Sequence, residues 1–231
     1  MRRPPQACHP ARVSARLVDL SHVVAHGRET YPGLPAPVIS DHLSRVESRT
    51  RYAPGTEFQI GRIEMVANTG TYLDAPFHRF EGGDDLAALR LEQLADLPGV
   101  VVDAPASGRC IDVASLPGGD LRGHALLFRT GWSRHFGTPA YNSGHPFLAA
   151  ALADALVARG VALVGIDSLN IDDTTTGERP VHIALLRAGI PIVEHLTELD
   201  RLPTDGFRFF AVPVKVRGMG TFPVRAFASI E

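Results

Sequence analysis

Thiols are scarce in this chain: its 231 residues include two cysteines, Cys8 and Cys110, far apart in sequence. One pair cannot build a thiolate metal cluster, and two unpaired thiols in a reducing cytoplasm are the simplest expectation. Long apolar runs are missing too, since no window approaches the ~18–20 residues of a membrane span. The opening "MRRPPQACHPARVSARLVDL" carries arginines with no apolar stretch behind them, so it lacks the middle of a secretory signal. It reads as a flexible basic tail over residues 1–16, followed by one domain over 17–231. Excess charge is absent as well: the net charge is −2 and the pI about 6.5, so no global basic field attracts nucleic acid. Neither a Gly-x-Ser-x-Gly elbow nor a phosphate-binding glycine loop occurs, which argues against serine hydrolases and nucleotide enzymes. Internal repeats and Ser/Gly-rich linkers are not found. What remains, with 45% hydrophobic and 21% charged residues, is a soluble globular chain long enough to bury a core. Cytoplasmic location, no nucleic acid, no membrane and a small-molecule substrate are the corresponding expectations.

Short apolar runs alternate with helical patterns. "ARLVDLSHVV" has strand character, and "GRETYPGLPAP" after it is loop. "TEFQIGRIEMVAN" alternates and reads as a strand. "LAALRLEQLADL" has leucines at helical spacing and fits a short helix. "PGVVVDAPA", "HALLFRTGW" and "GVALVGIDS" are buried-strand runs. "HPFLAAALADALVARG" is the clearest helix, with Gly160 placed to stop it, and "VHIALLRAG" is a second, ended by Gly189 and followed by the strand "IPIVEHL". "GFRFFAVPVKVRG" alternates and reads as a late strand, at a sheet edge on account of Pro213. The mixture is α/β or α+β.

Chemistry concentrates in "NTGTYLDAPFHRF", Asn68 to Phe80. Pro76 biases Ala75 to extended backbone, so a helix across Asp74–His78 is disfavoured. Extended residues 72–74 put Tyr72 and Asp74 on one side, and His78 can return to it after the bend. An Asp and a His converging in this way bind a divalent ion, act as an acid/base pair, or merely cap a turn. A second half stands in "ERPVHIALLRAGIPIVEHL". From His182 the helix runs out by roughly 10 Å at 1.5 Å per residue. The strand then returns roughly 13 to 16 Å to Glu194. A reversal at Gly189–Pro191 would leave His182 and Glu194 side by side. A carboxylate after the apolar "IPIV" needs a partner if it faces inward.

Taken together the two segments resemble the cyclase family of metal-dependent hydrolases, which includes bacterial kynurenine formamidases and isatin hydrolases. The family's first motif, His-x-Gly-Thr-His-x-Asp-x-Pro-x-His, stands here as Asn68-Thr-Gly-Thr-Tyr72-Leu-Asp74-Ala-Pro-Phe-His78. The second, a His with an acidic or amide ligand twelve positions later, is matched by His182 and Glu194. "DLSH", "YPG", "GIDS" and "FPVRAF" extend the likeness over nearly the whole chain.

The resemblance implies an α/β, single-domain swivelling β/β/α-type fold with a mixed sheet, and a homo-oligomer, either a dimer or a dimer of dimers. It implies one divalent ion, Mn or Zn, and hydrolysis of an amide, lactam or lactone beside an aromatic ring. Carried over by position, Asp74, His182 and Glu194 are ligands and His78 is the catalytic acid/base, with Glu194 able to share that role. Asn68 and Tyr72 replace two metal-binding histidines. Asn68 offers a carbonyl oxygen to a hard ion, whereas a Tyr72 phenol binds metal only when ionised. Tyr72 is therefore also a candidate for proton transfer in a metal-free lyase or cyclase, and a non-catalytic ligand-binding relative is the third alternative. Ser21, His22 and Tyr31 are candidates for the substrate pocket, with turn and packing roles as the other reading. Asp167, Asn170, Asp172 and Asp173 follow a strand, a position that makes them site candidates, and the acids read best as solvated turn residues. Arg225 reads as an ion-pairing residue or a carboxylate anchor.

Overall fold

In the computed structural model, residues 15–104 and 108–231 are described. The tail expected over residues 1–16 falls outside them except for its last two positions, and Arg16 already belongs to a strand. Cys110 is a free, exposed thiol, and Cys8 lies outside the described residues. No helix among the described residues is long and apolar enough to cross a membrane.

In chain order the elements are β1 (Arg16–Asp19), β2 (Val38–Leu43), α1 (Arg45–Arg51), β3 (Ile60–Glu64) and β4 (Tyr72–Asp74). Then follow β5 (Leu97–Asp103), β6 (Cys110–Ile111), β7 (Ala125–Arg129), β8 (Phe147–Leu148), α2 (Ala150–Ala158) and β9 (Leu163–Ile166). The last are α3 (Pro180–Arg187), β10 (Ile192–Glu194), β11 (Phe207–Phe210), β12 (Thr221–Pro223) and β13 (Phe227–Ile230).

Nine strands form one mixed sheet in the order β1-β13-β11-β5-β7-β9-β10-β4-β12. The central β5, β7, β9 and β10 are parallel and the flanks antiparallel. Because side chains alternate along a strand, each central run serves two cores. Leu126, Phe128, Val164, Ile166 and Ile192 meet α2 and α3 through Leu152, Leu156, Val181 and Leu185. Ala125, Leu127, Leu163 and Val193 face the other way, onto Leu73, Leu94, Phe207 and Phe209. The expected α/β class with a mixed sheet is what the chain adopts.

Three local expectations differ. "LAALRLEQLADL" is not a helix but a string of turns with one 3-10 turn at Leu91–Gln93. Asp85 Oδ1 accepts from the Ala87 and Ala88 N–H groups at 2.9 Å, Leu86 N–H donates to Met219, and Arg90 is extended. Those bonds compete with the helical ladder, while Leu86, Leu89 and Leu94 still reach the core. The strand from "GFRFF" is internal, between β13 and β5, because it ends at Phe210 before Pro213. Helix α2 begins at Ala150, and Phe147–Leu148 pairs instead with β6.

Strand β3 pairs only with β2, in a two-stranded ribbon outside the main sheet. Every β3 residue is exposed, and so are all of β2 but Leu43.

Candidate active site

Strand β4 has three residues, all buried between β10 and β12. Its register dictates the polar pairs. Tyr72 lies opposite Glu194 and Pro223, and Asp74 opposite Ile192 and Thr221. Alternation sends Tyr72 and Asp74 to one side and Leu73 to the core, as the sequence pattern predicts. After Asp74, extended Ala75 and a single 3-10 turn at Pro76–His78 bring His78 back beside Asp74. Only glycine fits at position 220, since a Cβ there would lie 2.2 Å from the His78 nitrogen.

Helix α3 opens with Pro180, and its cap position, Arg179, supplies no side-chain acceptor. Asp172 does so from the preceding loop, accepting from Val181 N–H at 2.8 Å and His182 N–H at 3.1 Å. The same carboxylate lies 2.6 Å from His182 Nδ1. An ionised carboxylate only accepts, so His182 Nδ1 carries a proton whatever the ring's charge, and Nε2 is the nitrogen left to give up its proton to an ion. Nε2 stands 3.7 Å from both Asp74 Oδ2 and Glu194 Oε1. The predicted cancellation of helix and strand lengths therefore occurs. Glu194 accepts from Ile171 N–H at 2.6 Å and from the Tyr72 hydroxyl at 2.7 Å.

A parallel argument fixes His78. The Thr221 hydroxyl donates to Asp74 Oδ1, so its oxygen accepts at 2.8 Å from His78 Nδ1–H, leaving Nε2 free. Asp74 Oδ2 is buried and has no hydrogen-bond partner. Ligand atoms of Asp74, His78 and His182 lie within 4.8 Å of one another. A partnerless carboxylate oxygen with two oriented imidazoles is a donor set that fits a divalent cation.

Electrostatics set the protonation states. Burial works against the charged form of His182, but its bond to Asp172 and the facing Asp74 and Glu194 carboxylates outweigh that and raise it to about 10. Burial also pushes Glu194 up, to about 7, against the pull of His182. Asp74 would rise on burial, yet the facing His182 ring, the charge of His78 and the Thr221 hydroxyl hold it below the usual range. Tyr72 is driven well above the ordinary phenol value by burial and by the Glu194 and Asp74 charges, so it stays a neutral phenol.

The residues surround a cavity of about 210 Å³, whose wall includes Tyr31, Asn68 and Asn170. Ser21 and His22 do not line it. The Ser21 hydroxyl donates to the Ala226 carbonyl at 3.1 Å, and the His22 ring stacks on Phe136 at 3.7 Å. Arg225 pairs with Asp19 at the surface, at 2.7 Å.

Comparison with known proteins follows the same geometry. The chain matches a family model described as a putative cyclase over residues 18–173. It belongs to the cyclase family. A kynurenine formamidase from Erythrobacter litoralis is 30% identical over 87% of this chain and 88% of its own length. One from Bacillus cytotoxicus is 30% identical over 90% and 95%. Among solved structures, a potential metal-dependent hydrolase with cyclase activity superposes with a TM-score of 0.77 at 26% identity, covering 94% of this chain and 99% of that one. Isatin hydrolase A from Ralstonia solanacearum has the same fold, with a TM-score of 0.80 at 24% identity over 94% and 92%.

Within the cyclase family's outline, the reading of "GIDSLNIDD" as solvated turn residues needs correction. Asp167 and Asp172 are 2% and 1% exposed. Asp167 accepts from the N–H groups of Thr130 and Gly131, and Asp172 caps α3. Asp173 alone is partly solvated, paired with Arg109. A helix opening on "RPVH", with no capping residue before it, was the available sign that an acid elsewhere must serve. Asn170, which lines the cavity, had its strand-end position as a sign, whereas Thr221 had none.

Proposed function

We propose that this chain is a divalent-metal-dependent hydrolase of small aromatic amides, lactams or lactones, similar in activity to an arylformamidase. The observation that carries this reading is the partnerless Asp74 Oδ2 facing His182 Nε2, with His78 completing the set. Asp74, His78 and His182 would hold the ion, zinc or manganese, with the Asn68 amide oxygen in the same cavity wall. When bound, such an ion supplies Lewis acidity to a carbonyl group. Glu194 takes the proton of the attacking water and returns it to the leaving nitrogen or oxygen. Glu194 Oε1 faces His182 Nε2 across the cavity, where a carboxylate can serve both transfers. These roles exchange those implied by the resemblance: geometry favours His78 among the ligands and Glu194 as the base. Tyr72, whose proton is committed to Glu194, does not suit the metal-free lyase alternative.

Next to the main cavity lies a smaller one of about 110 Å³, sharing His78, Asn170 and His182 and flanked by Arg79 and Arg179. Its described lining contains no acid, so substrates carrying a carboxylate beside the scissile group are favoured. The test is hydrolysis of N-formylanthranilate and of neutral formanilide by the purified chain. Turnover is expected to vanish on chelation, return with Zn²⁺ or Mn²⁺, and show the lower KM for the anion. Activity indifferent to chelation sinks the metal-dependent reading, and equal KM values sink the anionic preference.

The exposed ribbon supports a homodimer. Ile39 and Ile63, paired across the ribbon and so on one face of it, are 44% and 49% exposed, and a two-stranded sheet alone in water is marginal. We assign a second copy to that surface. Light scattering should give twice the 24.9 kDa chain mass, or four times it for a dimer of dimers. The I39K/I63K variant should scatter as a smaller species. Equal masses for parent and variant would discard this interface.

A further inference from the structure

Behind the cavity, a line of hydrogen-bonding groups has no part in the reaction described so far. The Tyr141 hydroxyl is 2.9 Å from His195 Nδ1, and His195 Nε2 is 3.3 Å from the Tyr72 hydroxyl oxygen. The Tyr72 hydroxyl in turn reaches Glu194 Oε2 at 2.7 Å. His195 is fully buried, and Tyr72 and Tyr141 are 1% exposed.

Backbone geometry makes the arrangement possible. In a continuing strand Glu194 and His195 would point to opposite faces. His195 instead has φ +56°, a left-handed turn that lets consecutive side chains both reach Tyr72. That conformation is uncommon for a side-chain-bearing residue and persists where surrounding structure over-determines it.

Proton counting allows one direction along the line. The Glu194 carboxylate can only accept, so the Tyr72 proton points to it. The Tyr72 oxygen must then accept, which requires the His195 proton on Nε2. A neutral imidazole has one ring proton, so Nδ1 accepts from Tyr141. Burial favours that neutral form and lowers His195 to about 3.

We infer that His195 is a positioning residue: oriented by Tyr141, it aims the Tyr72 hydroxyl proton at Glu194 Oε2, so that Oε1, which accepts from Ile171 N–H at 2.6 Å, keeps its second lone pair towards His182 and the substrate. The inference rests on the proposed base role of Glu194. In this arrangement Tyr72 is neither ligand nor acid. It holds one side of the base.

The experiment reads the ring protons of His195 directly. In the zinc-loaded chain with 15N-labelled histidine, nitrogen–proton correlation should place the proton on Nε2, the signal being assigned by its loss in His195→Gln. A proton on Nδ1, or on both nitrogens, overturns the inference. Tyr141→Phe removes only a hydroxyl. It should let the ring tautomers mix and lower kcat about five- to tenfold, the worth of one hydrogen bond. KM and zinc content should be unchanged. In a Tyr72→Phe background the same substitution should do nothing further, because the line is already cut. An unchanged kcat in Tyr141→Phe, or an equal loss in both backgrounds, overturns the inference. A chain that hydrolyses neither formanilide nor N-formylanthranilate defeats the proposed function instead, and the ring-proton reading still decides the role of His195.

Discussion

Glu194→Gln is expected to keep its metal and lose its turnover. The amide has nearly the shape of the carboxylate, so its carbonyl can still accept from Ile171 N–H. It has no lone pair basic enough to take a proton from water. General-base catalysis of this kind contributes roughly 10²–10⁴ in rate, and kcat should fall by that factor with KM little changed. Stability should drop by ~1–3 kcal/mol, because the amide NH₂ now faces a Tyr72 hydroxyl that needs an acceptor. Elemental analysis beside steady-state kinetics separates the two assignments of this residue. Metal lost in step with the rate would return Glu194 to the ligand set.

His182→Ala should remove both the ion and the activity, and should also weaken the metal-free chain. In that chain the imidazolium faces Asp74, Asp172 and Glu194, all buried. Its loss leaves their charge uncompensated, a defect of about 3–5 kcal/mol. The pH dependence has a definite sign. The folded His182 value, about 10, lies above the unfolded 6.5. Its contribution is therefore complete below pH 6.5 and lost as the pH rises through 10. Denaturant melts of both metal-free proteins should differ most near pH 6 and converge towards pH 10. A pH-independent gap would mean that His182 stabilises by packing alone. Metal content unchanged in the variant would remove His182 from the ligand set.

Sequence alone could bring Tyr72, Asp74 and His78 together, and His182 beside Glu194, because that logic is local; the ion itself came from the family resemblance. Alternation aligns Tyr72 with Asp74, Pro76 forces the bend before His78, and opposing helix and strand lengths return Glu194 to His182. Hidden were the groups that arrive from a distance. Thr221 lies 147 residues from Asp74, and nothing in "TFP" announces that it will bridge Asp74 and His78. His195 stands in no motif; its place next to Glu194 hints that it could tune that carboxylate, but only the left-handed turn shows how it reaches Tyr72. Leucine spacing at 86–97 misled for a related reason: the period satisfied a core, but Asp85 and Met219 took the backbone N–H groups a helix would have used.

Strand β4 is three residues long and needs β10 on one side and β12 on the other. During synthesis at roughly 5–20 residues per second, Asp74 and His78 leave the ribosome many seconds before Thr221 does. Until then Asp74 has no Thr221 beside it, and nothing fixes the tautomer of His78. On the proposed ligand set, the fully oriented site would therefore be complete only after the C-terminal strands arrive, and ion loading would be a late event.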